Sequence, residues 1–339
     1  MKQKHLLKNV LDRGHSGFVR VMTIVALMLF VSTGAWAQTT YAVKMANATD
    51  AEAANWTIAS GQSSVKGNVA DGLTGLSEGA EVTVTYTGKK KVKSVTATTD
   101  AGPDPLTVPL TIEAITAGSI KVTSPKAGMQ YSLDGGATKT AVTTGNIALN
   151  TGDKVQFYGN GTSITCYGDP EMSKCTMING SGEGFTCKVY GNIMSLLDEE
   201  NFATAKTLSA TYTFKSLFYN NPTLTDASGL LLPATQLQES CYREMFNGCT
   251  VLTAAPVLPA TKLVMYCYFS MFNYCQNLAT VTCLATSGIN QDSSTSYWLN
   301  NAGSDVQGTK TVNTVSTANW QLDNYGGIPT GWTRVKIDN

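Results

Sequence analysis

Leu232-Pro-Ala-Thr-Gln-Leu-Gln-Glu-Ser-Cys-Tyr-Arg-Glu-Met-Phe-Asn-Gly-Cys-Thr-Val-Leu252 is answered a few residues later by Leu258-Pro-Ala-Thr-Lys-Leu-Val-Met-Tyr-Cys-Tyr-Phe-Ser-Met-Phe-Asn-Tyr-Cys-Gln-Asn-Leu278. Aligned at an offset of 26, segments 232–257 and 258–283 agree at 12 of 26 positions. The shared frame is L-P-A-T-x-L-x-x-x-C-Y-x-x-M-F-N-x-C-x-x-L, and a period in the twenties is the signature of coils stacked on one another. A weaker copy precedes them, because Leu217-Phe218 to Leu224 aligns with Met245-Phe246 to Leu252 at an offset of 28. Stacked coils offer surface for binding, and little in such a frame does chemistry.

Inside the first copy, Leu237, Cys241, Tyr242, Met245 and Phe246 fall at the three-and-four spacing of one helix face. The second copy repeats this with Leu263, Cys267, Tyr268, Met271 and Phe272. Thr235 with Gln238 has a capping-box pattern at the start of such a helix, and Asn247-Gly248 suits its end. Cys249, Leu252, Cys275 and Leu278 complete the expected core. Leu252 to Ala255 and Leu278 to Val281 read as a short strand on the opposite wall, which Pro256 ends because it cannot donate to a ladder.

The P-A-T-x-L-x-x-x-C-Y-x-x-M-F-x-x-C-x-x-L frame resembles the leucine-rich repeats of BspA-type bacterial cell-surface proteins. Gly327-Ile-Pro-Thr-Gly-Trp332 resembles the ending that such chains carry. The resemblance covers residues 208–339. It implies a short right-handed solenoid and a role in adhesion or co-aggregation at a bacterial surface.

Outward from the repeats, the expected fold class is α+β and multi-domain, with small β-rich N-terminal modules followed by a short, capped, leucine-rich-repeat-like solenoid. Residues 38–99 are rich in Thr, Val and Gly, and Glu81-Val-Thr-Val-Thr-Tyr86 and residues 91–97 alternate as half-buried strands do. Two prolines and a glycine make 100–105 the linker. Residues 106–160 read as a second β module, immunoglobulin-like or similar, with Asp134-Gly135-Gly136 as a hairpin turn. Segment 161–207 caps the solenoid, with strands at 163–167 and 185–190 and a short helix over 192–206. Coils occupy 208–286, and 287–339, carrying Trp298, Trp320 and Trp332, forms the C-terminal cap.

Residues 1–37 read as a secretory signal peptide. Lys2, Lys4, Lys8, Arg13 and Arg20 precede an apolar run from Val21 to Val31, and Ala35-Trp36-Ala37 places small residues for cleavage between Ala37 and Gln38. The run is well short of the ~20 residues that span a bilayer, so no transmembrane segment is expected in the mature chain. Cleavage leaves 19 basic against 23 acidic residues, a net charge near −4, and it removes His5 and His15, the only histidines. That excludes a histidine-activated nucleophile and zinc sites built on imidazole. The charge gives no reason to expect nucleic acid.

All eight cysteines lie between 166 and 283. Stacking at a period of 26 sets Cys241 beside Cys267 and Cys249 beside Cys275. Rungs ~4.8 Å apart leave disulfides open, while the coincidence with the apolar frame favours buried thiols. Cys166, Cys175 and Cys187 stand apart, and one pair among them can cross-link the cap. No metal site or cofactor is expected, since no C-x-x-C pair occurs. Asp198-Glu199-Glu200 reads as solvated helix surface, because adjacent residues do not face one substrate. Ser63-Ser-Val-Lys66 lacks the companion motifs of a serine-lysine acylase, and Lys89-Lys-Lys91-Val-Lys93 reads as an exposed turn.

Between the copies, Gln238, Glu239, Ser240, Arg243 and Gly248 become Val264, Met265, Tyr266, Phe269 and Tyr274. These five either form an exposed binding patch or lie under the C-terminal cap. The resulting expectation is a secreted or surface-exposed protein that binds protein or glycan and is not an enzyme. A secreted carbohydrate-active enzyme and a structural surface-assembly component are the alternatives.

Overall fold

The computed structural model describes residues 104–160 and 174–338, and before them the strand segments 20–25, 41–43, 56–60, 63–66, 73–76 and 81–86. The chain divides into two compact units, Met1–Asp104 and Pro105–Asn339.

In the first unit, β1 (Arg20–Val25), β2 (Tyr41–Val43), β3 (Trp56–Ser60), β4 (Ser63–Lys66), β5 (Leu73–Leu76) and β6 (Glu81–Tyr86) form two antiparallel sheets, β1-β6-β3-β4 and β2-β5. Thr and Val dominate β6, and β-branched residues fit a pleated surface. The cleavage residues Ala37 and Gln38, the 91–97 segment and the Lys89–Lys93 cluster lie outside the described residues.

In the second unit, β7 (Leu110–Ala114), β8 (Gly118–Thr123), β9 (Gln130–Ser132), β10 (Thr140–Ala141), β11 (Asn146–Leu149), β12 (Lys154–Tyr158), β13 (Met177–Ser181), β14 (Cys187–Asn192) and β15 (Leu224–Leu231) build two sheets. Their orders are β10-β9-β12-β7-β14-β15 and β11-β8-β13. All pairs are antiparallel except β14 with β15. β9 and β10 pair across the Asp134-Gly135-Gly136 turn, where both glycines have positive φ. Alternation decides the faces: Ile120 and Val122 are buried while Lys121 between them is exposed. One apolar core takes Leu110, Ile112, Val155, Phe157, Ile178 and Val189 from these strands and continues through the repeats to Trp332. The six-stranded sheet thus draws strands from both the 106–160 segment and the repeat region.

Two sequence expectations are corrected here. The 192–206 helix is a 3-10 turn, Ile193–Leu196, followed by turns. Asn192 fixes its start, accepting from Met194 N at 3.0 Å and donating to Leu106 O and Phe202 O. Asp198 accordingly caps a turn, accepting from the N–H groups of Glu200 and Asn201, and is not on a helix face.

The larger correction concerns the fold class. The α+β architecture with a leucine-rich-repeat-like solenoid is not what the chain adopts. Among the described residues there is no α-helix, helical structure amounts to short 3-10 turns, and strands dominate the regular elements. The repeat segments are runs of linked β-turns. In the first copy the N–H groups of Cys241, Arg243, Met245, Asn247 and Cys249 each donate to the carbonyl three residues back. The intervening N–H groups of Ser240, Tyr242, Glu244, Phe246 and Gly248 donate instead to Met265, Cys267, Phe269, Met271 and Asn273 of the second copy. An α-helix would send every N–H four residues back along its own chain. Positive φ at Ser240, Glu244 and Gly248, and again at Tyr266, Ser270 and Tyr274, closes one turn every four residues.

Each such run is a tier. Tyr212, Ser216, Phe218 and Asn220 donate down to the first copy, and Tyr266 to Tyr274 donate from alternate residues to Asp292, Ser294, Ser296, Trp298 and Asn300. The segment assigned as a C-terminal cap therefore begins with another tier. Beyond it β16 (Thr280–Cys283), β17 (Lys310–Val315) and β18 (Trp332–Ile337) form a parallel sheet. The expected strand at 252–255 is reduced to a single bridge between Asp226 and Ala254, while the one expected at 278–281 is displaced to β16.

Candidate functional site

The four-residue turn period sorts side chains into columns that run across the tiers. Two of every four face inward. Leu237, Cys241, Met245 and Cys249 form the inner row of one tier, Leu263, Cys267, Met271 and Cys275 that of the next, and all are buried with Tyr242, Phe246, Tyr268, Phe272, Leu252 and Leu278. Phe218, Phe246 and Phe272 stack with centroids 5.4 and 5.5 Å apart, and Trp298 stacks on Trp320 at 5.0 Å.

Cysteine suits its positions because the thiol is small and can donate weakly. Cys249 Sγ donates to Phe218 O at 3.0 Å and Cys275 Sγ to Phe246 O at 3.1 Å, each reaching a carbonyl of the preceding tier. Cys187, Cys241, Cys249, Cys267, Cys275 and Cys283 are free and buried. Burial pushes the thiols of Cys249, Cys267 and Cys283 up to about 12, and that of Cys187 to about 11. Such thiols are neutral and poor nucleophiles. Cys175 is disulfide-bonded. Cys166 lies outside the described residues.

The other two positions of each four face outward, and there the five variable residues are found. Met265 is 42% and Tyr274 49% exposed, while Val264, Tyr266 and Phe269 are partly exposed. No cap covers them. Phe269 lies edge-on to Tyr266 at 5.7 Å and to Tyr297 of the next tier at 5.8 Å. Tyr297 in turn meets Tyr325 at 4.7 Å. Tyr297 and Tyr325 are 40% and 48% exposed. At the other end the Arg243 guanidinium sits 4.6 Å from the Phe269 ring centre and 5.5 Å from that of Tyr266, with Nε 3.4 Å from Glu244 Oε1. Arg243, Phe269, Tyr297 and Tyr325 thus form an outer ladder across successive tiers. Beside it stand Asn247, Asn273 and Asn300, with Asn300 Nδ2 donating to Asn273 Oδ1 at 3.1 Å.

Tyr297 and Tyr325 were not among the residues the sequence singled out. Trp298-Leu299 stands in the place of Met271-Phe272 and Tyr297 in that of Ser270, a signal masked by the loss of the other frame residues in that tier.

A second feature is an open cleft of about 290 Å³ lined by Glu113, Lys188, Tyr190, Asp226 and Ser228. Lys188 Nζ lies 3.0 Å from Glu113 Oε1, and Tyr190 Oη donates to Glu113 Oε2 at 3.3 Å. Partial burial, then Glu113, pushes the Tyr190 hydroxyl up to about 12. Glu113 is tied to Lys188, Tyr190 and, at 3.7 Å, Lys154, which links neighbouring strands, while Asp226 Oδ1 accepts from Ser228 N at 2.7 Å. Ser63 and Lys66 lie on β4, paired with β3. Among the described residues no group of three His, Cys, Asp or Glu side chains is placed to hold a metal ion, and no helix is long and apolar enough to cross a membrane.

Comparison with known proteins adds no relative: no family model, no curated protein and no solved structure matches the chain.

Proposed function

We propose that the chain is an exported, surface-exposed binding protein that holds a protein or glycan partner on the outer ladder of its tiers and catalyses no reaction. The observation that carries this reading is the row Phe269, Tyr297 and Tyr325 with Arg243 at its end, because rings left in water across several tiers do nothing for the core. Export is supported by the basic start, the apolar run and the Ala35-Trp36-Ala37 site. The Cys-Tyr and Met-Phe pairs that resemble BspA-type surface proteins support the same address.

The test is to profile purified residues 38–339 against a glycan array and a panel of matrix proteins, alongside a Phe269→Ser/Tyr297→Ser double variant. Binding that the double variant loses while keeping its circular dichroism and melting temperature supports the proposal. Turnover of a glycan or peptide, abolished by one carboxylate substitution, would show an enzyme instead.

A further inference from the structure

Resting on that binding reading, we infer that the ligand of the outer ladder is a neutral, unbranched glycan lying across the tiers. Three observations narrow the chemistry. The ladder gives one flat group per tier, Arg243, Phe269, Tyr297 and Tyr325, with neighbouring centres 4.6, 5.8 and 4.7 Å apart. A polymer that meets it in register needs a repeat close to the ~4.8 Å spacing of hydrogen-bonded backbone rungs, which is about the length of one pyranose in an extended chain. A peptide strand or a polyproline helix has a shorter rise per residue and falls out of step within two tiers.

The second observation is charge. Within the ladder and its flanking column, the ionic groups Arg243 and Glu244 are held against each other, and the flank is made of the amides of Asn247, Asn273 and Asn300. Each amide offers donors and an acceptor without net charge, as sugar hydroxyls require. An acidic glycan would need cations, and on this face, among the described residues, Arg243 is paired with Glu244.

The third is shape. Successive rings are turned 82° and 68° from one another. The row is a stepped track across the tiers with Tyr266 packed beside Phe269, unlike the broad flat patch of roughly 800 Å² that each partner of a stable protein complex contributes. Sugar C–H groups pack against the exposed edges and faces that such alternately turned rings offer, while their hydroxyls reach the amides at the side.

The experiment uses residues 38–339 against an array of neutral and acidic glycans in length series, with matrix proteins presented before and after enzymatic deglycosylation. The expected result is retention of neutral linear glycans, with affinity rising with chain length until the four rungs are spanned and little change when salt is raised. Tyr297→Ala or Tyr325→Ala should each lower affinity by about tenfold with melting unchanged. Retention of acidic glycans alone, or of matrix proteins equally after deglycosylation, overturns the glycan inference and leaves the binding reading standing. Absence of binding to either panel overturns both.

Discussion

At the scale of single residues, the thiols connect packing to pH. Cys249, Cys267 and Cys283 have an ordinary value of 9.0 and are pushed to about 12 by burial in the native state. The native chain therefore keeps protons that the unfolded chain releases. Stability from this source is whole below about pH 9 and is lost as pH rises towards about 12. Under reducing conditions, the denaturation midpoint should fall steeply across that window, and thiolate absorbance should follow unfolding. Thiolate absorbance developing near pH 9 in the folded protein would show the thiols to be exposed. Thiol-reactive probes should likewise label these cysteines slowly until denaturant is added.

At the scale of the turn run, strain and packing make opposite demands. Ser240 has φ of 58°, and its buried hydroxyl has no hydrogen-bond partner. Ser240→Gly removes both penalties and should raise stability by about 1 kcal/mol in a urea titration. Gly248 has φ of 77°, and a Cβ there would meet the Asn220 side chain. Gly248→Ala should therefore lower stability by a similar ~1 kcal/mol. Phe246→Ala opens a hole between Phe218 and Phe272 and should cost roughly 3–5 kcal/mol. The inward set was legible in the sequence because the frame repeats, whereas the element was not. Leu237, Cys241, Met245 and Cys249 recur at steps of four, and on an α-helix each such step drifts by about 40°, scattering them over a third of the circumference. In linked turns they stay in one inward row. The second signal, positive φ, was hidden because Ser240, Glu244, Tyr266, Ser270 and Tyr274 are not glycines. Of the outer ladder, Phe269 was readable as a departure from the frame, as was Tyr266 beside it. Tyr297 and Tyr325 became visible only when hydrogen bonds placed residues 292–300 on the second copy and the Tyr325 carbonyl on Tyr297 N.

At the scale of the whole molecule, proposed export changes the first unit. Cleavage before Gln38 removes Arg20–Val25, the β1 edge strand, and leaves β6 at the border of a β6-β3-β4 sheet. Intact-mass analysis of secreted protein should give an N-terminus at Gln38, and recovery of the full chain from membranes would count against export. The second unit makes a stronger demand on the fold. Its core is continuous from Leu110 on β7, through the phenylalanine stack of the tiers, to Trp332 on β18, and all of it lies within Pro105–Asn339. A sheet shared between β7, β12, β14 and β15 ties the first half of that unit to the repeats, so neither half can unfold without exposing the other's apolar face. Residues 105–339 expressed alone should then melt in one cooperative transition and protect their buried thiols as the longer chain does. Two separated transitions, with labelling of Cys249 or Cys275 in the first, would show the strands and the tiers to be independent domains.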